Sequence, residues 1–217
     1  MKVAEESALI GQGKKMTIAI KPQAVVQQME SKIAAFYSSS ELQKCVARSI
    51  QVLRDNQATV GFAESCTGGL LSNSFAKVSE VSDVFMGSVV TYANYVKVDI
   101  LGVKDETLEK FGAVSVECAK EMSEQALILL KVSYAVAITG IAGPKGGSTE
   151  KPVGTVFISV SGITDADDND AINEDSAIST LIFHHDFSAL NTREEIHLPA
   201  SIAANQNLQH FIEAHNR

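Results

Sequence analysis

Two apolar runs, each ending in a glycine-rich polar turn, limit how this chain folds more than any other feature. Tyr134 to Thr139 is nearly uninterrupted apolar sequence, as expected of a central strand buried on both faces, and it runs into Gly140-Ile141-Ala142-Gly143-Pro144-Lys145-Gly146-Gly147. Thr59 to Ala63 ends just as abruptly, in Glu64-Ser65-Cys66-Thr67-Gly68-Gly69. A strand that stops this way delivers a hydroxyl to the mouth of the next helix, where unpaired backbone N–H groups hold an anion or stabilise an oxyanion beside Ser65. The same residues also suit a plain strand-to-helix turn, with Ser65 or Thr67 as the helix cap.

The rest of the chain alternates in the same manner. Residues 1–21 are polar and without period, which reads as a flexible lead, and residues 22–217 read as one domain. Val25, Met29, Ile33 and Phe36 form one helical stripe, and Leu42, Cys45, Val46, Ile50 and Leu53 form another after a break at Ser38-Ser39-Ser40. Helix is expected over Leu70 to Phe75 and Asn94 to Leu101, and again after Ser115, an N-cap followed by Ala119, Met122, Ala126, Leu129 and Leu130. Strands are expected at Val84 to Tyr92, Val153 to Val160 and Ile178 to His184. Thr192 to His215 is helical in pattern, with an interruption at Pro199. The order implies a layered α/β/α domain with a mixed, largely parallel central sheet, and both glycine-rich loops at carboxyl ends of strands, where ligands bind in such folds.

Composition narrows the function. A net charge of −8, from 18 basic and 26 acidic side chains, opposes nonspecific binding to nucleic acid or an anionic membrane. No apolar run has membrane-spanning length and no signal-peptide pattern opens the chain, so a soluble, cytoplasmic protein is expected. Three scattered cysteines, Cys45, Cys66 and Cys118, fit neither a disulfide framework nor a thiolate metal site. Asp165, Asp167 and Asn169 begin like a calcium loop, but Asp170 stands where glycine is required and Ser176 where the bidentate glutamate belongs. His184 and His185 point to opposite faces of a strand with no third ligand at hand. No metal and no cofactor is implied. Cys66 reads first as a small buried filler and only second as a competitor of Ser65 for the nucleophile's role, while Lys97 and Lys145, taken alone, read as ordinary solvated charges.

Taken together, Ala63-Glu64-Ser65-Cys66-Thr67-Gly68-Gly69, the Tyr92, Asn94 and Lys97 segment, Gly112-Ala113-Val114-Ser115, Thr139-Gly140-Ile141-Ala142-Gly143-Pro144 and Lys151-Pro152-Val153-Gly154-Thr155-Val156 resemble the C-terminal domain of the CinA (competence-damage-inducible) family, in the family's order. The resemblance implies a nicotinamide-nucleotide amidase, which converts nicotinamide mononucleotide to nicotinate mononucleotide and ammonia. It assigns Ser65 as nucleophile and Lys97 as base, with Tyr92 nearby. Substrate contacts are expected from Cys66, Thr67, Gly68, Gly69, Thr139, Gly140, Gly143, Lys145 and Arg193, and the family favours a homo-oligomer. Two departures stand out. The family has two arginines four residues apart at the start of its last helix, where this chain has Arg193 and His197, and its members begin with a shorter lead or with a whole additional domain.

An amide is a poor electrophile and a serine hydroxyl a poor nucleophile, so the reaction needs a base, an oxyanion hole and a proton for departing ammonia. A solvated lysine is neutral in only about 1 molecule in 2,500 at pH 7, so burial must depress Lys97. A carboxylate touching Lys97 would hold it charged, which makes the orientation of Glu64 critical. Tyr92 is an alternative proton relay between Ser65 and Lys97. Two rival functions remain open: a non-catalytic nucleotide-binding or regulatory relative, and an amidase for another carboxamide.

Overall fold

The computed structural model describes residues 18–20, 39–163, 177–190 and 192–215. The expected helix carrying Val25, Met29, Ile33 and Phe36, and the aspartate-rich segment from Asp165 to Asp175, lie outside the described residues. The elements are strand β1 (Ile18–Ile20), helix α1 (Ser39–Asp55), β2 (Val60–Glu64), α2 (Leu70–Ala76), β3 (Phe85–Val90), α3 (Asn94–Asp99), α4 (Asp105–Phe111), α5 (Val116–Leu130), β4 (Tyr134–Gly140), β5 (Thr155–Ile163), β6 (Ile178–Asp186) and α6 (Arg193–His215).

The six strands form one mixed sheet in the order β1-β6-β5-β4-β2-β3. β2 runs parallel to both β3 and β4, β1 runs parallel to β6, and β5 is antiparallel to β4 and β6. From β2 the chain crosses through α2 to β3 on one side, then returns through α3, α4 and α5 to β4 on the other side. The carboxyl ends of β2 and β4 therefore flank a switch point, the place where an open α/β sheet leaves a crevice for ligands. Both glycine-rich turns start there.

Side-chain size alternates across the central strands. Phe62, Val136, Ile138, Val156, Ile158 and Val160 face one core with α1, α2 and α6, where the Phe62, Phe75 and Phe85 rings meet at 4.9–5.7 Å between centroids. Ala63, Ala135 and Ala137 face the other core, against Cys118, Met122, Ala126 and Leu127 of α5. Small residues let α5 lie close to the sheet. Gly61 has the same effect, since a Cβ there would stand 2.5 Å from Leu130 Cδ1. Ser115 caps α5 as expected, its hydroxyl accepting from the Cys118 amide at 3.1 Å.

Four expectations need correction. Ile18–Ile20, inside the stretch read as a lead, pairs with β6, because the edge of that strand offers unpaired backbone groups to an extended run. Pro199 does not interrupt α6, which is continuous from Arg193 to His215. A mid-helix proline costs about 3 kcal/mol. Ile196, Leu208, Phe211 and Ile212 are all buried by this helix, each contributing roughly 1.5–3 kcal/mol, and outweigh it. Helix α4 was not expected; its first turn is held by Glu121 of α5, which accepts from the Lys104 amide at 2.9 Å and the Thr107 hydroxyl at 2.6 Å. Finally, neither Ser65 nor Thr67 is the N-cap of α2, a position taken by Gly69 in a left-handed conformation, with φ of 101°.

Phe62 joins β2 to the aromatic cluster beneath α2. Phe62→Ala is expected to destabilise the fold by about 3–5 kcal/mol, read as a lower urea midpoint at unchanged m-value.

Candidate active site

β2 carries Ser65 to the sheet's edge, and the Ser65 amide donates to the Ile138 carbonyl of β4 at 2.9 Å, which fixes the turn against its neighbour strand. β3 ends alongside, and the Thr91 amide donates to the Glu64 carbonyl at 2.7 Å. Helix α3 then turns Lys97 inward, so that 1% of the residue is exposed. Its Nζ lies 3.0 Å from Ser65 Oγ and donates to the Thr91 carbonyl at 2.6 Å. The alcohol and the amine, 32 positions apart, are in direct contact.

The surroundings favour a neutral amine. Burial pushes the Lys97 pKa below the ordinary lysine value, and no carboxylate among the described residues forms an ion pair with it. The Cys118 and Cys66 thiols oppose the shift, but burial pushes those groups up to about 11 and about 12 respectively. They are uncharged at neutral pH. Burial thus keeps Cys66 in its thiol form, and of the two groups it is the Ser65 hydroxyl that is in hydrogen-bond contact with the Lys97 amine.

Glu64 turns away from Lys97. Its carboxylate accepts from the Thr67 hydroxyl at 2.8 Å and from the amides of Gly69, Leu71 and Ser72 at 3.2, 3.0 and 2.8 Å. The start of α2 is thus occupied by a carboxylate of the protein itself, and the expectation that it receives a substrate anion is corrected. Within the turn, the Gly68 amide donates to Ser65 and the Leu70 amide to Thr67. The Cys66 and Thr67 amides are left over: among the described residues neither donates to a backbone carbonyl or to another residue's side chain.

The family model for the CinA C-terminal domain matches residues 42–178. The chain belongs to the CinA C-terminal domain family. A CinA-like protein of Fervidobacterium nodosum is 56% identical over 110 residues, 51% of this chain and 27% of that protein. One of Leptospira borgpetersenii is 44% identical over 137 residues, 63% of this chain and 33% of that protein. The chain thus spans about a quarter to a third of these relatives' length. Among solved structures, the competence/damage inducible protein CihA of Agrobacterium tumefaciens superposes with a TM-score of 0.66 at 34% identity, over 82% of this chain and 96% of that one. A CinA superfamily protein of Klebsiella pneumoniae gives a TM-score of 0.67 at 28% identity, over 80% and 98%.

The other residues expected at this CinA site are placed as follows. Tyr92 does not stand between Ser65 and Lys97; it is 58% exposed and its hydroxyl accepts from Arg193 Nη1 at 2.7 Å. Arg193 Nη2 donates to the Gly143 carbonyl at 2.6 Å, so the first residue of α6 ties the β3 end to the second glycine-rich loop. Gly140 is where that loop passes closest to the first turn, since a Cβ would stand 2.7 Å from the Thr155 carbonyl oxygen and 3.1 Å from Cys66 Sγ. Thr139 is buried and donates to the Ala113 carbonyl at 2.7 Å, drawing in the Gly112 to Ser115 motif. Gly68 and Lys145 are exposed, each in its own glycine-rich turn. His197 was noticed only as a departure from the family, yet its Nε2 is buried without a hydrogen-bond partner among the described residues. Burial and then Arg193 lower its pKa, against weaker opposition from Glu194, the Cys66 backbone and Glu64, so its imidazole is neutral at pH 7. His184 and His185 go to different neighbours, the first stacked on Phe157 and the second beside Asn207.

Linkage gives the burial of Lys97 a sign. Unfolded Lys97 keeps its proton to about pH 10.4, whereas the folded group loses it earlier, so between the lowered value and about 10.4 the unfolded state binds more protons and stability rises with pH. In urea titrations from pH 7 to 10.5, the wild type is expected to gain stability relative to Lys97→Met, at no more than about 1.4 kcal/mol per pH unit. A difference that stays flat with pH would contradict a depressed Lys97.

Proposed function

We propose that the domain is an amidohydrolase that deamidates nicotinamide mononucleotide, with Ser65 as nucleophile and neutral Lys97 as base. The observation that carries this reading is the 3.0 Å contact between Ser65 Oγ and a buried Lys97 Nζ that has no carboxylate partner among the described residues. A structural lysine would be expected to have a counter-ion or to reach solvent. One that is desolvated against a serine hydroxyl is equipped to take its proton.

The reaction then runs in two halves. Ser65 Oγ attacks the carboxamide carbon while its proton passes to Lys97, and the carbonyl oxygen becomes an oxyanion facing the leftover Cys66 and Thr67 amides. Collapse breaks the carbon–nitrogen bond, and the Lys97 ammonium returns the proton to the departing nitrogen, which leaves as ammonia. Water attacks the resulting ester with Lys97 again as base, which frees Ser65 and the carboxylate product. No relay through Tyr92 is required, because the amine already reaches the alcohol. Arg193, which touches the second glycine-rich loop, and Lys145, an exposed residue of that loop, suit the substrate phosphate. The Arg193 fork is already spanned by Tyr92 and Gly143, so phosphate binding draws on its remaining donor capacity.

Ammonia release from nicotinamide mononucleotide by the purified protein tests this function. Ser65→Ala and Lys97→Ala are each expected to lower kcat by at least about 1,000-fold, and the wild-type rate is expected to rise with pH as Lys97 loses its proton. Thermal stabilisation by the nucleotide without ammonia release would instead establish the non-catalytic reading, and release from other carboxamides alone would reassign the substrate.

A further inference from the structure

Glu64 precedes the nucleophile directly, is fully buried, and forms no ion pair among the described residues. Four donors converge on its carboxylate: the Thr67 hydroxyl and the amides of Gly69, Leu71 and Ser72. A carboxylate suits this place because it is acceptor on both oxygens, with lone pairs for about four donors. A glutamine would turn two N–H groups of its own towards amides that also donate.

The consequence lies in which amides of the turn remain. Ser65 donates to Ile138 on the neighbouring strand, Gly68 to Ser65 and Leu70 to Thr67, while Gly69, Leu71 and Ser72 all go to Glu64. The uncommitted pair, Cys66 and Thr67, follows the nucleophile immediately. An amide one residue beyond a catalytic serine on a strand-to-helix turn is a recurrent oxyanion donor. The Thr67 side chain is also engaged by Glu64, so the residue that supplies one of these amides is held from its own hydroxyl. The Glu64 backbone carbonyl meanwhile accepts from the Thr91 amide at 2.7 Å, and the Thr91 carbonyl accepts from Lys97. One residue thus braces both the turn and the strand end that orients the base.

We propose that Glu64 is the positioning residue of the oxyanion hole: its carboxylate holds the turn over residues 65–69 so that the Cys66 and Thr67 amides stay uncommitted and aimed at the oxygen that becomes charged. This deepens the proposed function and rests on Ser65 being the nucleophile. A carboxylate that merely caps α2 would affect the folded fraction. One that shapes the hole affects the transition state.

The test is the rate at which an alkyl fluorophosphonate labels Ser65, followed by the mass of the intact protein, with Ser65→Ala as the blank. In that reaction the Oγ–P bond forms, the P–F bond breaks with fluoride leaving, the serine proton passes to Lys97, and the phosphoryl oxygen takes the place of the oxyanion. Glu64→Gln is expected to slow labelling about 100-fold and Thr67→Val about 10-fold, with full labelling of the folded protein at long times. Binding of nicotinamide mononucleotide, compared between Ser65→Ala and Ser65→Ala with Glu64→Gln, is expected to change less than about twofold, because the planar amide makes little use of the hole. Labelling of Glu64→Gln within about threefold of wild type, or a loss matched by an equal loss of folded protein, would overturn the proposal. Where Glu64→Gln does not fold, Thr67→Val decides in the same terms: slowed labelling supports the role, and an unchanged rate ends it. A wild type that labels at Ser65 yet releases no ammonia strikes the amidase function alone, while the labelling rates of the variants still judge Glu64.

Discussion

The site depends on a buried carboxylate that touches no cation among the described residues. Glu64 sits at the last residue of β2, and its four hydrogen bonds gather the turn after Ser65 and the first amides of α2 around one point. A carboxylate stripped of water and left without such donors would cost several kcal/mol, so strand, turn and helix are bound to one arrangement. Its backbone carbonyl extends that order to Thr91, and Thr91 in turn receives the amine of Lys97. Ser65 and Lys97 are thereby referred to the same residue.

Lys97 is the complementary case, a buried amine that pairs with no carboxylate among the described residues. Helix α5 shows the ordinary solution, where the half-buried Lys120 and Glu124 pair at 3.1 Å one turn apart. Such a pair at Lys97 would hold the ammonium form and remove the base. Its titratable neighbours are instead thiols that burial keeps protonated, with a hydroxyl and a carbonyl as hydrogen-bond partners. The free energy lost by desolvating the amine favours its neutral state, which is the state the proposed reaction uses.

Much of the fold was legible because it rests on local periodicity. The apolar run from Tyr134 to Thr139 became the buried core of β4, and Ser115 capped α5 as its position indicated. Errors fell where a distant side chain replaced a local one. The sequence offers Ser65 and Thr67 as caps for α2, but Glu64 reaches past both to the amides. Glu121 similarly organises the start of α4 from another helix, and the burial of α6 carries it through Pro199. Tyr92, adjacent in sequence to the catalytic segment, is drawn outward by Arg193 from 101 residues away.

By itself, the sequence determined that two strands end in glycine-rich turns and that a serine stands at one of them, since alternation and turn chemistry are properties of neighbouring residues. It also determined which family the chain resembles. Tertiary structure alone decided that Lys97 meets Ser65, that Glu64 faces the turn rather than the amine, and that Cys66 is buried. Those outcomes depend on side-chain direction and on the removal of water, and both are set by chain segments that come together only when the sheet assembles.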